Sequence, residues 1–131
     1  MTHEEKDLMI KDLYARVPYG VKVQDMEYNL DPVTPGILDR WHGEVKLYGD
    51  ENYRPIEKVR AYLRPFSSLS DEELAEYHLQ CGLFNYNGAS TYYDTPNSLK
   101  WLLANHVDFN RLIPMGLALE AKKEMYNTVN K

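Results

Sequence analysis

Apolar positions near the N-terminus recur at helical spacing. Met9/Leu13 and Ile10/Tyr14 are i,i+4 pairs, so each pair stacks on one helical face. Glu4, Glu5 and Asp7 fall where the helix dipole favours negative charge. The pattern predicts a helix over 4–15, stopped by Pro18-Tyr19-Gly20. The period then shortens to that of a strand. Val21-Lys22-Val23-Gln24 alternates, and Asp31-Pro32-Val33-Thr34-Pro35-Gly36 is dense in turn residues. Ile37 to Trp41 and Glu44 to Tyr48 then read as a hairpin with His42-Gly43 at its turn, followed by a second turn at Gly49 to Asn52.

The segment 56–64 fits two patterns. Ile56, Val59 and Leu63 share a helical face, whereas alternation puts Lys58, Arg60, Tyr62 and Arg64 on one strand face. Pro55 and Pro65 bracket the segment, which favours a helical turn. Ser70-Asp71-Glu72-Glu73 is a capping box flanked by Leu69 and Leu74, predicting a helix over 70–80 that Gly82 ends. Residues 83–95 read as a polar, tyrosine-rich loop. Thr95-Pro96 starts another helix, with Leu99, Leu102 and Leu103 on its buried face. Asp108 is expected to cap a short further helix carrying Phe109, Leu112 and Ile113 and ended by Gly116. Residues 117–121 are too few to assign, and fraying is expected from about Asn127.

The expected fold class is therefore α+β in a single domain, 1–131. It combines an N-terminal helix, a small twisted antiparallel sheet or SH3-like partly open barrel over about 21–54, and a C-terminal set of short helices. At 131 residues, 44% of them hydrophobic and 27% charged, the chain can bury a core without covalent staples. Its one cysteine, Cys81, excludes an internal disulfide and fits a reducing compartment. No apolar run is long enough to cross a membrane, and the acidic N-terminus lacks the apolar core of a signal peptide. The expected location is the cytoplasm. A net charge of −5 argues against non-specific binding to nucleic acid or anionic lipid. Much of the acid is concentrated in Asp71, Glu72, Glu73 and Glu76.

Candidate chemistry is sparse. His78 and Cys81 are i,i+3 but lack a further ligand nearby, so no metal and no cofactor is expected. Cys81 follows an acidic helix and lies at its C-terminal end, which disfavours a thiolate nucleophile. Asp94 and Asp108, or Asp39 and Glu44, are conceivable carboxylate pairs for a hydrolase, but as turn, cap and strand residues they have simpler roles. The basic-aromatic run Arg54, Lys58, Arg60, Tyr62 and Arg64 could track a single-stranded nucleic acid, with rings stacking on bases. Pairing of its arginines with the acidic helix at 71–76, adjacent in sequence and complementary in charge, is the favoured reading. Eleven tyrosines against three phenylalanines favour half-buried positions and interfaces. Tyr86, Tyr92, Tyr93 and Trp41 are the candidate protein contacts, because tyrosine among Asn, Gly and Ser is the chemistry of binding loops.

Three phrases occur in order along the chain. They are Arg16-Val17-Pro18-Tyr19-Gly20-Val21-Lys22-Val23, then Tyr62-Leu63-Arg64-Pro65-Phe66-Ser67-Ser68-Leu69-Ser70-Asp71-Glu72-Glu73. The third runs from Trp101-Leu102-Leu103-Ala104-Asn105-His106-Val107-Asp108-Phe109 to Gly116-Leu117-Ala118-Leu119-Glu120-Ala121. Together they resemble an uncharacterised family of short prophage and mobile-element proteins of anaerobic gut bacteria. The stretch between Gln24 and Arg54 carries none of the likeness. The resemblance implies a mobile-element setting and supplies no catalytic residue. The expected function is a non-enzymatic accessory module that binds another protein or itself. A nucleic-acid-binding small barrel is the alternative, and a small hydrolytic enzyme is the third reading.

Overall fold

The computed structural model describes residues 1–27, 32–39, 43–47 and 53–126. Helix α1 spans His3–Arg16, and a capping box holds its start: Glu5 N donates to Thr2 Oγ1 and Thr2 N donates to Glu5 Oε1. Val17–Tyr19 tightens into a 3-10 turn, and Gly20 turns the chain with φ 74°. Strand β1 is Val23–Asp25. Strands β2 (Pro35–Asp39) and β3 (Glu44–Leu47) pair antiparallel with Asp39 opposite Glu44, the hairpin expected from the alternation. Of the turn between them, Gly43 has a φ of 64°, and residues 40–42, His42 included, lie outside the described residues, as does the second turn at Gly49 to Asn52. Strand β4 (Tyr53–Pro55) completes the antiparallel sheet β2-β3-β4.

Residues 56–64 divide between the two patterns that they fit. Ile56–Lys58 is a single 3-10 turn, and strand β5 follows at Val59–Leu63. The helical expectation fails after Lys58 because β5 is the central strand of its sheet. It runs antiparallel to β1 on one side and parallel to β8 (Ala118–Glu120) on the other. Val59, Ala61, Tyr62 and Leu63 are all buried, so both faces are covered and the period-two signal disappears. Strand β1 thus joins β5 and β8 rather than the sheet formed by its sequence neighbours, apart from a bridge from Val23 to Val33. No closed barrel forms among the described residues.

The core lies between α1 and these two sheets. Met9 and Leu13 from α1 meet Val21, Val23, Val45, Leu47, Ile56, Val59, Ala61 and Leu63, with Leu112, Leu117 and Ala118 from the later chain. A buried polar knot stands beside it. Asp12 accepts from Arg16 Nε at 2.8 Å and Nη2 at 3.1 Å, and Arg16 Nη2 also reaches the Val107 carbonyl at 2.7 Å. Both side chains are almost wholly buried, so each charge needs the other.

Helix α2 (Asp71–Gln80) and helix α3 (Pro96–Ala104) pack on one another beside this body. Their starts are the expected ones. Ser70 and Glu73 form both arms of a capping box, and Thr95 caps α3 with Pro96 at its first position. Leu102 is fully buried, but Leu99 is 38% exposed and the other fully buried residue of α3 is Ser98. After α3, Asp108 does cap the chain, accepting from Leu112 N and Ile113 N, but what it caps is a series of turns rather than a helix. The expected short helix is absent because Arg111 adopts a positive φ of 59°, which breaks a right-handed run.

Candidate functional site: an exposed aromatic hairpin

Residues 83–95 are not a loop. Strands β6 (Gly82–Tyr86) and β7 (Ala89–Tyr93) pair antiparallel in five consecutive positions, from Gly82↔Tyr93 to Tyr86↔Ala89. Asn87 (φ 51°) and Gly88 (φ 79°) make the two-residue turn, with the two positive dihedrals of a type I′ hairpin. Ser90 Oγ donates to Asn85 Oδ1 across the strands. Asn-Gly between runs rich in Phe and Tyr is the local signal for such a hairpin. Its Ser, Thr and Asn content masks that signal.

The two faces of the hairpin differ. Tyr92 stacks on His78 of α2 with ring centroids 4.1 Å apart and planes 3° from parallel, and Leu83 stands opposite Tyr92. That face leans on the end of α2. On the other face Phe84 and Tyr86 lie nearly parallel at 6.3 Å, and the Tyr93 ring occupies the space over Gly82. A Cβ at position 82 would collide with that ring, so a larger residue there would push the ring aside. Leu83, Phe84, Tyr86, Tyr92 and Tyr93 are each at least half exposed, and Leu79 at the end of α2 is 82% exposed. Apolar exposure concentrated in one element marks an interaction surface more often than scattered single residues do. Residues 82–93 carry no charged side chain.

Polar bonds fix the base of the hairpin. Thr95 Oγ1 donates to the Gln80 carbonyl, Tyr77 Oη donates to Asp94 Oδ1 at 2.6 Å, and Trp101 Nε1 donates to Glu76. Tyr77 also lies within 6 Å of Phe66 and of Trp101, centroid to centroid. Burial, the Asp94 carboxylate and Cys81 together raise the Tyr77 hydroxyl well above its ordinary pKa, so it stays a neutral donor.

Of the expected protein contacts, Tyr86, Tyr92 and Tyr93 fall together on this hairpin, and Trp41 lies outside the described residues. Leu79, Leu83 and Phe84 belong to the same surface, although composition alone singled out the tyrosines.

The basic-aromatic run does not share one open face. Arg54 pairs with Asp25 at 3.1 Å. Arg60 donates to the carbonyls of Glu57, Val59 and Gly116. Tyr62 is buried, and its hydroxyl donates to Gln24. Arg64 forms a two-pronged contact with Glu73 at 2.7 and 2.9 Å, the pairing with the acidic helix that charge complementarity suggests. Lys58 is the exposed member of the run. Among the described residues no group of three or more His, Cys, Asp or Glu could hold a metal ion, and no helix is long and apolar enough to cross a membrane. No family model matches this chain, and neither a curated protein nor a solved structure does.

Proposed function

We propose that the chain is a non-enzymatic protein-binding module of the cytoplasm, encoded by a mobile element, and that the β6–β7 hairpin is its contact surface. The observation that carries this reading is the uncharged hairpin itself, with five large apolar side chains at least half exposed on a base that polar bonds hold in place. Tyrosine and phenylalanine supply contact area at low entropic cost, and they are the residue types on which interface energy concentrates. The basic-aromatic run offers less, because Arg54, Arg60, Tyr62 and Arg64 are already engaged within the fold.

The test compares wild type with the double variant Phe84→Ser/Tyr86→Ser. Both residues lie on the face away from α2, so the fold should hold and the melting temperature should change little. Sedimentation measures self-association, and affinity capture from host extract with mass spectrometry measures binding to other chains. Association present in wild type and lost in the variant is expected. Identical association profiles for the two proteins in both assays would refute the assignment of the surface.

A further inference from the structure

The hairpin has an outer edge that the described chain does not use. In a hairpin closed by a two-residue turn, the flanking residues exchange both backbone hydrogen bonds, and bonded pairs alternate from there. Tyr86↔Ala89, Phe84↔Thr91 and Gly82↔Tyr93 are therefore the bonded pairs. The N–H and C=O groups of Leu83 and Asn85 point away from β7, and among the described residues β7 is the one sheet neighbour of β6. Native edge strands are usually blunted by Lys, Pro or a bulge. Strand β6 has none of these: its register is unbroken, and its sequence is Gly-Leu-Phe-Asn-Tyr.

We propose that this edge of β6 pairs antiparallel with the same edge of a second copy of the chain, about a two-fold axis at Phe84. The inference rests on the protein-binding reading and names its occupant. Three observations select a second copy. The edge is self-complementary, because with Phe84 opposite Phe84 of the second copy, Leu83 meets Asn85 and Asn85 meets Leu83. Every outward N–H and C=O then finds a partner, as an isologous contact requires. The stretch is also uncharged, so two copies that each carry net charge −5 meet where neither brings a charge. The acidic residues Asp71 and Glu72 sit at the opposite end of α2 from the hairpin. Finally, a two-stranded ribbon exposed on both strands is marginal in water, and three or more strands with an apolar face are needed for stability.

Pairing at β6 gives a four-stranded sheet ordered β7-β6-β6-β7. A two-fold axis normal to the sheet keeps Phe84, Tyr86 and Tyr93 of both copies on one side. Phe84 and its counterpart are then a non-bonded pair, the closest approach of side chains in an antiparallel ladder. The β7 edge would put Thr91 at the axis instead and bury less apolar surface there.

The experiment uses the full chain. Sedimentation of wild type should shift with concentration from monomer to twice the monomer mass. Asn85→Pro removes an outward N–H and spares every backbone bond between β6 and β7, losing only the side-chain bond from Ser90. It should lose the dimer while keeping the wild-type circular dichroism, whereas Asn85→Ala, which loses the same side-chain bond but keeps the N–H, should still dimerise. In a Cys81→Ser background, Phe84→Cys with oxidised glutathione as electron acceptor should give a covalent dimer, since Cα atoms about 4.5 Å apart suit a disulfide. Thr91→Cys in the same background should stay monomeric. A wild type that is monomeric at every concentration overturns the inference, as does cross-linking through Thr91→Cys and not Phe84→Cys. Extract capture that depends on Phe84 and Tyr86, from a strictly monomeric protein, would leave the binding surface standing and remove only the second copy.

Discussion

Acid should destabilise this protein through one histidine, His106. It is 4% exposed, and its ring stacks on Tyr126 at 3.8 Å. Its Nδ1 is buried without a hydrogen-bond partner among the described residues. Burial, followed by the nearby charges of Arg16 and Arg64, lowers its pKa from 6.5 to about 4. An unfolded chain takes up the proton near pH 6.5, whereas the folded chain resists until about pH 4. The stabilisation is therefore complete above pH 6.5 and declines as the pH falls towards 4. At about 1.4 kcal/mol per pH unit the whole window costs about 3 kcal/mol, a large share of the roughly 5–15 kcal/mol that holds an ordinary domain. Glu73, whose carboxyl the hydrogen bond from Arg64 holds below 4.5, adds its own loss at the acid end of that range. The interval between pH 6.5 and 5 thus isolates the histidine from Glu73. Urea denaturation at half-unit steps across that interval should show stability falling as the pH is lowered. His106→Asn keeps a residue that tolerates the positive φ of 60° and removes the titration, so its absolute stability should drop while its slope flattens. Parallel slopes in the two proteins would refute the assignment, and so would a proton resonance of His106 that titrates near pH 6.5 in the folded state.

Two further outcomes are expected. Ser70→Ala should cost about 1 kcal/mol by chemical denaturation, since it orphans one helix N–H. Glu73→Ala should cost more, about 3 kcal/mol, because it also strands the largely buried guanidinium of Arg64; equal losses would mean that the Arg64 contact contributes nothing. Gly82→Ala should speed amide exchange across the hairpin selectively, because its Cβ displaces the Tyr93 ring, and unchanged exchange there would show that the ring yields freely.

Much of the fold was legible wherever the deciding interaction lies within a few residues. The starts of α2 and α3 follow from Ser70 with Glu73 and from Thr95 with Pro96, because a cap bonds a side chain to a backbone group three residues on. The hairpin was equally local, since Asn87-Gly88 states its turn type. It passed for a loop because its strands bury almost nothing, and without a core face there is no alternation of burial to read. For the candidate surface, the tyrosines were visible in the composition, but the side of the sheet that each occupies followed only from the register.

The rest depended on partners that are distant in sequence. Three residues of β8 acquire strand character only by lying parallel to β5, with Ala118 opposite Ala61 far earlier in the chain. The basic run shows the same limit in its charges: the sequence displays four cations and one ring, but Gln24 and Asp25 of β1, Glu73 of α2 and the Gly116 carbonyl, which engage most of them, arrive from three different segments. Capping, turn chemistry and net charge are properties of short stretches, and this sequence determines them by itself. Which face is buried, which charge is neutralised and which strand edge stays open depend on what the folded chain brings alongside, and only the tertiary structure decided them.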